Sequence, residues 1–222
     1  MSNTSTILQP ILENSNFPRL LNELNVLWKN EQRLREEFYE KIQPGDKWEF
    51  INGKIIMHSP AKEKHTEARK KLSLLLQIFV SLKDLGKVHD ETALVSLTRN
   101  DYLPDIAYFT KAKSTNFSPN TWKYPPPDFA VEILSKGTAK TDRGIKKEDY
   151  AKHGTKEYWL IDPDKQTVEQ FILSDKQSVF ELFAKKTIDD SITVQIIPNC
   201  TFPVKAIFNE KEKMEVVKQW ML

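Results

Sequence analysis

"PPPDFAVEILSKGTAKTDRGIKKEDYAKHGTKEYWLIDP", residues 125–163, holds an apolar run from Phe129 to Leu134 that is interrupted only by Glu132. The run reads as a short buried strand. Alternation places Phe129, Val131 and Ile133 on one face and Ala130, Glu132 and Leu134 on the other, so Glu132 sits among apolar neighbours. A carboxylate buried without partners costs on the order of several kcal/mol, so it must neutralise, pair or bind a cation. Hard divalent cations favour carboxylate oxygens. The other reading is an edge strand with Glu132 facing solvent, and periodicity over so short a run leaves both open.

A second acid stands in "LPDIAYF", where Asp105 follows Pro104 at the start of a strand. Two adjacent strands could bring Asp105 and Glu132 to one point. Two acids, a backbone carbonyl and water make a reasonable Mg²⁺ site, because this ion takes only one or two protein carboxylates. Taken alone, Asp105 also reads as a turn residue after proline. Downstream, about Ala139 to His153 reads as a helix with Gly154 after it, stacking Asp142, Lys146 and Tyr150 at i, i+4 and i+8. A lysine there could position a nucleophilic water and offset charge on phosphorus. The alternative is a solvated helix face with Asp142–Lys146 an ordinary surface pair.

Composition narrows the field. The 222 residues carry 33 basic and 31 acidic side chains, a net charge of +2, too close to neutral to argue by itself for nucleic acid or an anionic membrane. Cys200 is the only cysteine, which excludes an internal disulfide and a cysteine-based zinc site. The histidines, at 58, 65, 89 and 153, form no pair at helical ligand spacing. No apolar run reaches membrane-spanning length. The N-terminus, "MSNTSTILQPILENSN", lacks the basic start and apolar core of a signal peptide, so a cytoplasmic, reducing location is expected.

Residues 1–17 are polar and punctuated, which predicts partial disorder. From Phe17, Leu20, Leu24, Leu27, Leu34 and Phe38 recur at helical spacing, an apolar stripe for core or dimer contact. "KWEFINGKIIMHS" reads as a hairpin turning at Asn52-Gly53. A long helix follows through Ala68, Leu72, Leu75, Leu76, Phe79 and Leu82, with Gly86 near its C-terminal end. Strands are expected in "KVHDETALVSL", "PDIAYFT", "DFAVEIL", "EYWLIDP", "TVEQFIL", "SVFELFA" and "ITVQIIP". The pattern predicts an α/β (α+β) architecture, with a helical extension over 1–43, one main domain over 44–210 and a tail over 211–222.

The order of "WEFINGKIIMHSP…H", "LPDIAYF" and "PDFAVEILS…T…DRGIKKEDYAKHGTKEYWLIDP" resembles the Uma-type restriction endonucleases, a branch of the PD-(D/E)XK nuclease superfamily. The resemblance runs from about Lys47 to Phe208. It implies a restriction-endonuclease-like central mixed sheet flanked by helices. It also implies a Mg²⁺ or Mn²⁺ site at Asp105, Glu132 and the carbonyl of Ile133. The superfamily's common lysine position, two residues after the acid, holds Leu134. The Uma-type pattern puts the lysine on the next helix, which matches Lys146, with Lys147 adjacent. Glu49 matches a recurrent glutamate that reaches the site through water, and His65 matches a recurring auxiliary histidine. Asp142 and Tyr150 join these as auxiliary candidates. Two departures stand out: Ile145 replaces a frequent acid, and "SKGTAKT" replaces a serine-proline segment.

These readings lead to a metal-dependent endonuclease acting on DNA, with Asp105, Glu132 and Lys146 as its catalytic set and a homodimer as its expected form. Lysine-rich stretches "AKEKHTEARKK" and "KTDRGIKK" would meet phosphates or serve as solvated helix faces. The rival is a catalytically silent nucleic-acid-binding or regulatory module that keeps the fold. A dimeric interaction protein using the N-terminal helices is a third reading.

Overall fold

A computed structural model describes residues 3–174 and 178–222. The chain begins with two helices, α1 (Asn3–Leu12) and α2 (Phe17–Lys41), and then forms a hairpin of β1 (Trp48–Ile51) and β2 (Lys54–Met57). Asn52 and Gly53 both take positive φ, 49° and 76°, as a two-residue hairpin turn requires. Helix α3 (Glu63–Leu82) leads to β3 (Gly86–Asp90), β4 (Leu94–Ser96), β5 (Asp101–Tyr102), β6 (Ile106–Thr110), α4 (Lys111–Ser114), β7 (Lys123–Tyr124) and β8 (Phe129–Ile133). After β8 come α5 (Ala139–Thr141), a π-helical turn (Asp142–Lys146) and α6 (Lys147–Lys152). The chain finishes with β9 (Glu157–Asp162), β10 (Thr167–Ser174), β11 (Val179–Lys186), β12 (Ser191–Thr193), β13 (Thr201–Pro203), a 3₁₀ turn (Val204–Ile207) and α7 (Glu210–Met221).

The main sheet is mixed and six-stranded, ordered β11-β10-β9-β8-β6-β3, with β8 and β9 parallel and the remaining pairs antiparallel. A five-stranded sheet, β2-β1-β5-β4-β7, and a small β12-β13 pair complete the strands. Strand β8 is buried along its whole length. Phe129, Val131 and Ile133 pack with Leu72, Leu75 and Phe79 of α3 in the principal core. Ala130 and Leu134 belong to a second core with Tyr150 and Tyr158. Glu132 thus lies on a covered face, and the solvent-facing alternative is excluded.

Several expectations are corrected. The stretch expected to be partly disordered contains α1, while residues 1 and 2 lie outside the described residues. The single helix expected from Ala139 to His153 is broken: Gly144 takes φ −106° and ψ −106°, non-helical values that kink the chain there. Gly86 lies just past the end of α3 at Leu82, as expected, with Lys83 at the cap position. The glycine opens β3 at φ +143°, where an added Cβ would stand 2.0 Å from the Phe109 carbonyl oxygen. "KVHDETALVSL" is two strands in different sheets. Residues read as a tail form α7, whose Trp220 meets Phe79 of α3 edge-on at 4.9 Å. Among the described residues no helix is long and apolar enough to cross a membrane.

Helix α2 joins the body through its C-terminal half. Phe38 is buried against Phe50, and the Arg35 guanidinium donates to both oxygens of Asp101 at 2.6 and 2.9 Å. Every residue from 21 to 30 is exposed, so the apolar stripe continues past the body uncovered among the described residues.

Candidate active site

The start of β6 and the end of β8 lie side by side. Ile106 pairs with Val131, so one further step of the antiparallel register sets Asp105 opposite Glu132. At that step the ladder changes partner: the Asp105 side chain accepts the Ile133 N–H through Oδ2 at 2.7 Å. Because both backbone groups of a strand residue point to one edge, the Ile133 carbonyl shares the Asp105 edge.

Lys146 projects from the π turn into the same place. Its Nζ lies 2.9 Å from Glu49 Oε1, 3.3 Å from Glu132 Oε1 and 3.3 Å from Asp142 Oδ1. Glu49, Glu132, Asp142 and Lys146 are all buried, each 3% exposed or less. The surface-pair reading of Asp142–Lys146 is therefore excluded. Charge pattern alone could not reveal this, because a buried pair and a surface pair have the same helical spacing.

The electrostatics follow from several acids around one ammonium. Burial, together with Asp142, Asp105 and Glu49, pushes the Glu132 carboxyl well above the usual carboxylate range, and Lys146 offsets this only in part. Burial also raises Asp142. Glu49 behaves oppositely: burial opposes ionisation, but Lys146 and a hydrogen bond to His58 bring it down to about 2. Desolvation would depress Lys146, yet Glu132, Glu49 and Asp142 hold it well above its ordinary value. The surrounding carboxylates thus favour the charged form of Lys146.

Of the auxiliary candidates, His65 reaches the cluster, with Nε2 3.3 Å from Asp105 Oδ2. Burial works against its protonation, but Asp105 and Glu91 raise its pKa overall. Lys147 does not join; its Nζ sits 3.9 Å above the Phe171 ring. Tyr150 is fully buried behind the site, its ring 5.6 Å from both Tyr102 and Tyr158, and its hydroxyl has no hydrogen-bond partner.

Sequence reasoning missed His58, whose Nε2 lies 2.8 Å from Glu49 Oε2. The hairpin register held the signal. Glu49 faces Ile56, so the residue two positions on, His58, lies diagonally across the same face.

The cluster forms the floor of a cleft of about 840 Å³, with Lys54, Lys62, Lys64 and Lys136 among its lining residues. Its donors suit a hard divalent cation. Glu49, Asp105, Glu132 and Asp142 outnumber the one ammonium of the cluster, Lys146. Among the described residues no three His, Cys, Asp or Glu side chains converge tightly enough to cage an ion unaided. Asp105 and Glu132 would thus need a carbonyl, water and phosphate to complete a shell, which is the usual habit of Mg²⁺.

No curated protein matches the sequence. Among solved structures, the chain is similar to a protein from Anabaena variabilis described as "a putative nuclease belonging to DUF820", with a TM-score of 0.64 and 23% identity over 84% of this chain and 98% of the other. That likeness concerns the fold, a mixed sheet flanked by helices. Residues 35–205, which contain every member of the buried cluster, match the family Uma2, described as "Putative restriction endonuclease". The chain belongs to the Uma2 family.

Proposed function

We propose that the cleft hydrolyses phosphodiester bonds of DNA with the help of Mg²⁺ or Mn²⁺. Family membership supports a nuclease function in general. The observation that carries the finer reading is the excess of buried carboxylates at the floor of a lysine-lined cleft. Asp105, Glu132 and the Ile133 carbonyl would hold the ion. Such an ion supplies polarisation of a phosphate oxygen and a more acidic water. Lys146, fixed as a cation, orients the attacking water by hydrogen bonding and offsets negative charge on the phosphoryl group. Lys54, Lys62, Lys64 and Lys136 would meet backbone phosphates, so affinity would fall steeply with salt.

We infer also that the working form is a homodimer joined through α2. Leu24 and Leu27, 51% and 64% exposed, continue the stripe that buries Phe38, and Leu21 and Trp28, 46% and 44% exposed, widen it on one side. A patch of this kind marks an interaction surface.

One observation favours a silent module instead. Lys146 already sits among Glu49, Glu132 and Asp142 and neutralises part of their charge without an ion. A plasmid-nicking assay separates the readings. Supercoiled DNA is incubated with wild type, Asp105→Asn and Glu132→Gln in Mg²⁺, Mn²⁺ or EDTA. Nicking that needs the ion and vanishes in both variants supports the nuclease. Folded wild type that neither nicks nor binds Mn²⁺ supports the silent module.

A further inference from the structure

Glu49 is fully buried, and each of its oxygens has a specific task. Oε1 accepts the Leu103 N–H at 2.8 Å and faces Lys146 Nζ at 2.9 Å. Oε2 faces His58 Nε2 at 2.8 Å. With Glu49 ionised and acceptor-only, His58 must carry its proton on Nε2 and donate it. His58 is held in turn by its backbone N–H, which donates to the Lys47 carbonyl at 2.9 Å and extends the hairpin ladder by one pair. The imidazole is therefore placed by strand register and lines the cleft wall.

Lys146 has three acidic neighbours at unequal distances. Glu49 is the nearest at 2.9 Å, while Glu132 and Asp142 stand at 3.3 Å. Lys146 already donates to Glu132 Oε1 at 3.3 Å, and if Glu49 turned away the ammonium would shift further toward Glu132, the acid proposed as an ion ligand, and toward Asp142. Anything that fixes the Glu49 carboxylate plane thus decides where the cation rests.

We propose that His58 is a positioning residue of this site: by holding Glu49 Oε2 it keeps Oε1 on Lys146, and so limits how far the ammonium shifts toward Glu132 and Asp142. The role concerns the hydrolytic site and rests on that reading. Its structural part, the placement of Lys146, can be measured without any reaction.

The test compares His58→Ala, His58→Asn and His58→Gln in the full chain. Glutamine carries an amide N–H at about the reach of imidazole Nε2 but does not titrate, whereas asparagine falls one atom short. The first readout is the ¹⁵Nζ resonance of Lys146 in metal-free protein. It should shift or broaden in the Ala and Asn variants and return near its wild-type position in His58→Gln. The second readout is DNA cleavage. kcat should fall about 10–100-fold in the Ala and Asn variants, the usual cost of losing such a supporting contact, with KM little changed and kcat recovered in His58→Gln. The proposal is overturned if the Lys146 resonance is the same in all three variants. It is overturned equally if the loss lies in KM, which would make His58 a DNA contact, or if His58→Gln is as impaired as His58→Ala. Should wild type fail to cleave DNA while the resonance responds as described, the hydrolytic reading falls and the positioning of Lys146 stands.

Discussion

Lys146 Nζ and Glu49 Oε1 lie 2.9 Å apart, with both side chains almost fully withdrawn from solvent. Removing the ammonium leaves Glu49, Glu132 and Asp142 buried together without compensation. Breaking a buried pair from one side costs roughly 3–5 kcal/mol, and Lys146→Met should lose about that much in metal-free protein. Mn²⁺ should recover part of the loss, and should raise the Tm of the variant more than that of wild type, because the ion then meets no competing cation. Urea titrations with and without Mn²⁺ measure both effects. Equal midpoints for variant and wild type would show that the cluster is not coupled.

The Arg35–Asp101 pair ties α2 to the five-stranded sheet, and Tyr39 adds a hydroxyl donor to Asp101 at 2.9 Å. Asp101→Asn should destabilise the protein by about 3 kcal/mol or more, because a buried guanidinium loses its counter-charge. Arg35→Met combined with Asp101→Asn should cost less than the sum of the two single losses. A double-mutant cycle in urea gives the coupling directly; simple additivity would contradict the pairing.

Glu157 gives a pH-dependent prediction remote from the cleft. Its Oε1 accepts from Trp159 Nε1 at 2.6 Å and Gln170 Nε2 at 2.7 Å, and its Oε2 accepts the Ile196 N–H at 2.9 Å. Burial nonetheless raises its pKa above the ordinary glutamate value. The folded state then holds this proton more tightly than the unfolded state. The stabilisation is complete below the unfolded pKa of about 4.3 and is lost as pH rises through the raised folded value. Glu157→Gln cannot titrate, so the stability difference between wild type and variant should be largest in acid and shrink toward neutral pH. Denaturation series across that range would show it, and a difference that grows with pH would contradict the assigned direction.

Dimerisation through α2 predicts that a charge within the exposed stripe separates the protomers. Leu24→Glu with Leu27→Glu should turn a dimeric wild type into a monomer in sedimentation velocity, with Tm within a few degrees. Both positions are exposed and lie outside the segment that matches the family. Wild type that sediments as a monomer at micromolar concentration would remove the α2 interface.

Much of this architecture could be read from local pattern. Asn52-Gly53 announced its hairpin because few other residue pairs accept positive φ twice in succession. Glu132 stood out because strand alternation left it among apolar neighbours. The parts that stayed hidden depend on distant contacts. Whether Asp142 and Lys146 face water or a core is decided by Glu49, which lies far away in sequence. Gly144 permits a distortion inside a helix-like stretch without announcing it. Glu157 reads as the polar start of a strand, yet the 193–196 segment and Gln170 bury it. His58 was accessible in principle, since the hairpin register already placed it beside Glu49.

The π turn from Asp142 to Lys146 carries a geometric consequence. The non-helical Gly144 kinks it, so the helical segments before and after it do not share one continuous phase. Each residue of an α-helix advances the azimuth by about 100°. Removing one residue from this segment would therefore swing Lys146 through a large arc, away from Glu49 and Glu132. The ammonium's address is set by helical phase rather than by the strength of any one contact. A one-residue deletion within 142–146 should thus displace the cation as thoroughly as replacing the lysine, even though every side chain of the buried cluster could be retained.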